Sequence, residues 1–211
     1  TTASLLAALA WIDTNYATHN IKVVNISLGT PAIDAYYNDP VCNAVWALTQ
    51  KGIVVVAAAG NMGKNYFTGQ KLYGAIHSPG NEPSAITVGA SDTKGTDARN
   101  DDTVATFSSH GPTRSYYRDS AGVKHYDNII KPDLVAPGNK MISAAGTPNA
   151  LATMQPSLKP TELNFTGDND DMMYMSGTSM STPVVAGAAA LLLQVNPKLT
   201  PSMIKMMMQY S

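Results

Sequence analysis

Leu5, Leu9, Ile12 and Tyr16 recur at three- and four-residue spacing, which predicts an amphipathic helix ending near Asn20. Residues 21–28 then read as a strand, and residues 40–50 as a second helical stretch broken by Gly52. Next comes Ile53-Val54-Val55-Val56-Ala57-Ala58-Ala59, apolar without alternation, as expected of a parallel strand buried on both faces. Residues 85–90 and 104–107 predict shorter strands between Gly-, Asn- and Pro-rich loops. A further short strand is held between Pro132 and Pro137, another lies at 141–144, and a polar stretch follows at about 146–172. The chain closes with a helix predicted over 182–195 and a last one opening at Pro201, with Thr200 as its N-cap. Strands alternating with helices imply an α/β fold with an open, mostly parallel sheet. No internal repeat or linker divides residues 1–211, so one domain is expected.

Composition narrows the function. Only 14% of the 211 residues are charged and the net charge is −1, which suggests neither a nucleic-acid footprint nor a basic membrane-binding surface. Small molecules or polypeptides remain as partners. The single cysteine, Cys42, excludes an intrachain disulfide and a cysteine-rich metal site; beside Val41, Ala44 and Val45 it reads as a packed helix face. The apolar run from Val184 to Leu193 is far shorter than a membrane span, and no basic-then-apolar signal segment opens the chain. The methionines Met172, Met173, Met175, Met180 and Met206-Met207-Met208 read as gap-filling core.

The richest chemistry lies in Gly177-Thr178-Ser179-Met180-Ser181-Thr182-Pro183, at the mouth of the apolar helix. Unpaired N–H groups and the positive end of the macrodipole favour a developing oxyanion there, so Ser179 is a candidate nucleophile. Gly177 lets the chain turn sharply, and Pro183 fits a first helical turn. Taken alone, the segment also fits a Ser/Thr-rich cap on a core helix. Ala58-Ala59-Gly60-Asn61 ends the buried run with an amide at the carboxyl edge of the sheet, where ligands bind in open α/β folds. Asn61 there either donates into an oxyanion hole or forms a turn. Asn25-Ile26-Ser27-Leu28-Gly29 is a strand whose small terminal residues leave room for an extended peptide, or simply a core strand ending in a turn.

These segments resemble the subtilases, the subtilisin-like serine peptidases. The likeness runs in family order through Ser27-Leu28-Gly29, Ala58-Ala59-Gly60-Asn61, Val88-Gly89-Ala90, Phe107-Ser108-Ser109-His110-Gly111-Pro112, Lys131-Pro132-Asp133-Leu134-Val135-Ala136-Pro137-Gly138 and Gly177 to Pro183. The resemblance implies a subtilisin-like sheet with helices on both faces and hydrolysis of polypeptide substrates through an acyl-enzyme. It makes Ser179 the nucleophile and Asn61 the side-chain donor of the oxyanion hole, with the Ser179 N–H as second donor. Ser27, Leu28 and Gly29 would pair with substrate backbone; Ala58, Ala59 and Gly60 would wall the pocket for the side chain before the cleaved bond. No cofactor is required for that chemistry. Structural calcium is common in the family; Asp168-Asn169-Asp170-Asp171 resembles a calcium loop, but Met173 stands at its glycine position and Ser179 at its bidentate glutamate position. It reads as a solvated acidic loop, with no metal ligand assigned.

The chain departs from the family at two motifs. Asp13-Thr14-Asn15 lies on a helix and lacks the Gly of the family Asp-Thr/Ser-Gly turn. His110 occupies the variable position of a Ser-Ser-x-Gly-Pro turn, and His19, His77 and His125 read as surface or loop histidines. Family order is Asp, His, Ser, so the expectation is an N-terminally shortened or cleaved domain whose Asp and His belong to a separate N-terminal segment. Such a chain should expose a sheet edge and be nearly inert alone. A catalytically inactive peptide-binding scaffold remains the alternative. A nucleotide-binding domain fails for want of the full glycine pattern, and an α/β-hydrolase would need Gly where Ser181 stands. A secreted setting is favoured over a cytoplasmic one.

Overall fold

The structure, a computed structural model, describes residues 1–146, 148–160 and 172–210. The acidic segment Asp168–Asp171, considered above for calcium, lies outside the described residues.

Helix α1 (Thr2–Asn15) is capped by the Thr1 hydroxyl, which accepts from Ser4 N–H. It ends earlier than its apolar spacing suggests: a turn follows, in which Asn20 takes φ 51° and the chain enters β1 (Val23–Ile26). A short strand β2 (Thr30–Pro31) comes next. Helix α2 (Pro40–Gln50) opens on Asp39, whose carboxylate accepts from Val41 and Cys42 N–H groups. Strand β3 (Val54–Ala58) is buried at every position. It is followed by β4 (His77–Ser78), β5 (Ile86–Asp92) and β6 (Thr103–Val104). Residues 105–107, expected to continue β6, instead form a turn closed by Ser108 N–H donating to Ala105 O. Strands β7 (Tyr116–Arg118) and β8 (Lys124–Tyr126) make a hairpin. Then come β9 (Leu134–Pro137), β10 (Met141–Ala144), α3 (Ala150–Met154), β11 (Met172–Met175), α4 (Thr178–Val195) and α5 (Pro201–Gln209).

The main sheet is mostly parallel. β1 pairs with β3, β3 with β5 and β5 with β9, all parallel, while β6 adds antiparallel to the end of β5. The unbroken run of β3 is explained by its two neighbours. Val55 and Ala57 point into a core shared with Leu9 of α1 and Val41, Val45 and Leu48 of α2. Val54 and Val56 point the other way, against Val185, Ala186 and Ala189 of α4 and Ile204 of α5. Both faces are apolar because both carry helices. Among the methionines, Met173 is buried and Met208 packs on the second core, but Met206 and Met207 lie on the outer face of α5, exposed. A helix of period 3.6 cannot turn three consecutive residues inward.

Helix α4 begins at Thr178, not Thr182, so Pro183 lies inside the helix and not in its first turn. The start is set instead by Gly177, at φ 156° and ψ 160°. This region is open essentially to glycine alone.

Candidate active site

Because β1 and β3 run parallel, with Ile26 opposite Ala57, the segments leaving them emerge on the same edge of the sheet. Ser27–Gly29 forms one arm and Ala59–Asn61 the other. The N-terminus of α4 enters between them. A cavity of about 360 Å³ opens there, lined by Ser27, Leu28, Gly29, Ala58 and Gly60 together with Asn61 and Ser179. Ala59 alone of the expected pocket residues does not face it: it is fully buried, and its backbone bonds to Val88 O and His77 N–H. Residues either side of it along an extended chain point the opposite way.

Asn61 and Thr178 are locked together. Asn61 Oδ1 accepts from Thr178 N–H at 2.9 Å and from Thr178 Oγ1 at 3.0 Å. The backbone group is a donor, so the amide atom facing it is the oxygen. The Asn61 NH₂ is thereby turned away from α4's first residue, and no hydrogen bond among the described residues uses it. Gly60 N–H donates to Thr178 Oγ1 at 3.2 Å, which ties the second arm to the same threonine. Gly60 itself holds φ 103°, in a region L side chains rarely adopt. Behind it, Ser109 Oγ accepts from Met62 N–H, and Ser109 N–H donates to Gly60 O. The Phe107–Pro112 segment therefore braces the arm that carries Asn61.

Ser179 is joined to the first arm. Its Oγ donates to Ser27 O at 2.8 Å, and Ser27 Oγ donates to Ser179 O at 2.8 Å. As the second residue of α4, Ser179 has an N–H with no carbonyl one turn earlier in the helix to receive it. That N–H and the Asn61 NH₂ are two donors at one helix mouth, where the macrodipole adds partial positive charge.

Three residues complete the cavity that sequence reasoning did not place there: Met62, Thr178 and His77. Thr178 was legible only as the neighbour of Ser179. His77, read as a surface or loop histidine, is half-buried in the cavity wall, because β4 pairs with β2 and carries it inward. Burial pushes its imidazole below the ordinary range. The other histidines lie elsewhere. His19 is stacked on Trp11, His125 is exposed, 2.8 Å from Asp119 and stacked on Tyr117, and His110 packs edge-on against Tyr73. Among the described residues no cluster of three or more His, Cys, Asp or Glu side chains forms a metal site.

A helix-mouth serine, an asparagine amide and two extended arms meet at the carboxyl edge of a parallel sheet, where open α/β folds hold their sites. The chain belongs to the subtilase family, whose model matches residues 1–211. It is 41% identical over 187 residues to the serine protease AprX of Bacillus subtilis (strain 168), an overlap of 88% of this chain and 36% of that protein. To the extracellular serine proteinase of Thermus sp. (strain Rt41A) it is 33% identical over 208 residues, 99% of this chain and 36% of that protein. Among solved structures, sphericase superposes with a TM-score of 0.66 at 26% identity, over 100% of this chain and 55% of its own. The chain thus spans 36% of the length of these two curated relatives.

Proposed function

We propose that this chain supplies the nucleophile, the oxyanion hole and part of the substrate groove of a serine endopeptidase, with the Asp and His coming from polypeptide outside it. One observation carries the reading: Ser179 and Asn61 line one cavity at the mouth of α4, flanked by Ser27–Gly29, and Asn61 bonds Thr178 through its oxygen, leaving its NH₂ unused among the described residues.

Ser179 Oγ bonds to the peptide carbonyl carbon while its proton passes to the imidazole. The oxygen that gains charge is received by the Asn61 NH₂ and the Ser179 N–H. The C–N bond then breaks and the leaving amine takes the proton. Water repeats the sequence on the acyl-serine and restores the hydroxyl. Ser27 to Gly29 hold the substrate extended by backbone pairing, and Ala58 and Gly60 wall its side-chain pocket. Support for the outside segment comes from the sheet: among the described residues β1 pairs with β3 alone, leaving an edge for another strand. A secreted setting is drawn from the relative named as an extracellular proteinase.

A second reading, a peptide-binding scaffold without catalysis, draws on the Ser179 hydroxyl, which is bonded to Ser27 O and not to an imidazole. Labelling by a fluorophosphonate separates the two. The 211-residue chain is expected to stay unlabelled alone and to react at Ser179 once the Asp- and His-bearing segment is added. Rapid labelling of the chain alone refutes the dependence on that segment. Peptide binding without labelling in the assembled protein refutes the peptidase.

A further inference from the structure

His77 is wedged between the two arms of the groove. Its backbone N–H donates to Ala59 O at 3.0 Å, while on the other side its strand position pairs with Pro31, two residues beyond Gly29. Both arms are glycine where they meet it. A Cβ on Gly29 would lie 3.0 Å from His77 Cβ, and one on Gly60 would lie 2.8 Å from His77 Cγ. The imidazole therefore occupies space that the absent side chain of Gly60 leaves open, and Gly29 makes room for the backbone and Cβ of the same strand.

The rest of the cavity wall is small or uncharged, and no other residue lining it carries an acidic or basic side chain. His77 Nε2 is shut off from solvent and has no hydrogen-bond partner among the described residues. A polar atom in that position is costly to leave unpaired. Nδ1, the ring's other nitrogen, is not sealed off and makes no hydrogen bond among the described residues, so it is the atom open to a ligand in the cavity that His77 lines.

We propose that His77 is the specificity-determining residue of this groove: its imidazole closes the pocket for the side chain preceding the cleaved bond and selects side chains ending in a carboxyl or carboxamide. The inference rests on the peptidase reading above. Burial keeps the imidazole uncharged at neutral pH, and a neutral ring offers one donor and one acceptor. With Nδ1 protonated it donates to a glutamate carboxylate or to the oxygen of a glutamine carboxamide; unprotonated it accepts from the carboxamide NH₂. An aliphatic side chain leaves the ring unpaired. A lysine brings an ammonium into a wall that holds no carboxylate.

The test uses the assembled protein and Ala-Ala-Pro-X p-nitroanilides with X as Glu, Gln, Leu or Lys. The expected result is kcat/KM at least about tenfold higher for Glu and Gln than for Lys, with the Gln-to-Leu ratio falling about tenfold in His77→Ala. Ratios within one variant do not depend on how much of it folds, and His77→Asn, which keeps a polar side chain, should retain part of the preference. Unchanged ratios in both variants overturn the proposal while leaving the peptidase intact. If no peptide is cleaved, the peptidase reading fails by itself, and calorimetric binding of Ala-Ala-Pro-X tetrapeptides decides on His77. Tighter binding of Gln than Leu, lost in His77→Ala, supports it; equal affinities overturn it.

Discussion

Ser27 and Ser179 exchange hydrogen bonds, each hydroxyl donating to the other's carbonyl at 2.8 Å. The reason lies at Pro183. In an α-helix the Ser179 carbonyl would accept from the N–H four residues on, and that residue is proline, which has none. The freed carbonyl takes the Ser27 hydroxyl instead, and the same contact holds the first arm of the groove against the helix mouth.

A double-mutant cycle tests this. Ser27→Ala leaves the Ser179 carbonyl without its partner and should cost about 1–2 kcal/mol of stability. Pro183→Ala returns an N–H that can take over that carbonyl, so in its background Ser27→Ala should cost little. Urea unfolding of the four proteins reads the coupling, and strictly additive costs would show that Pro183 has no part in it.

Asn61 is expected to act on rate more than on binding. Asn61→Ala removes a donor from the forming oxyanion, a change worth about 10²–10³ in turnover by the figure known from subtilisin, a member of this same family. It also strips Thr178 N–H and Oγ1 of their acceptor. In the assembled protein kcat should fall by that factor with KM nearly constant. A rise in KM at unchanged kcat would assign Asn61 to ground-state binding.

What the sequence made legible follows how local each cause is. The 53–59 run predicts a doubly covered strand because both periodic faces are apolar, and β3 shows the two cores directly. Ser27–Gly29, Asn61 and Ser179 were readable because each follows or opens a regular element, and parallel pairing brings such ends to one edge. The start of α4 was misplaced by treating Pro183 as a first-turn residue. His77 left no local trace, since its partners arrive from Gly29, Pro31 and the Ala59–Gly60 arm. Lys131 was equally silent: nothing next to it in sequence announces an almost fully buried lysine.

That lysine makes a third prediction. Lys131 Nζ donates to Ala85 O, Thr87 Oγ1 and Asp133 Oδ2 at 3.0, 2.8 and 2.7 Å, using all three of its protons. Asp133 Oδ1 lies 3.0 Å from Lys205 of α5, so one carboxylate ties β5 and β9 to the last helix. Burial pushes the Lys131 ammonium below its usual range, with Asp133 opposing the shift. Asp133→Ala leaves two ammonium groups facing one another and should cost about 3–5 kcal/mol. Lys131→Met removes one charge while Asp133 keeps Lys205, and should cost clearly less. Equal losses in denaturant titrations would contradict the central role given to Asp133.

Cys42 carries the last prediction. It is fully buried on α2, and its Sγ donates to Asn81 Oδ1 at 3.2 Å. Burial, with the nearby Asp39 carboxylate, holds the thiol far above the ordinary value of 9.0. Alkylation requires the thiolate, so iodoacetamide should leave the native protein unmodified at pH 8 and modify it readily in denaturant. The same shift sets a sign for stability. Above pH 9.0, taken as the unfolded thiol's pKa, the unfolded chain releases a proton that the native state retains, so unfolding becomes easier as pH rises. Cys42→Ala should lose that part of the alkaline slope, at the cost of an unpaired Asn81 Oδ1. Stability measured between pH 8 and 10.5 for both proteins checks it, and parallel curves would show that Cys42 contributes nothing to the alkaline limit.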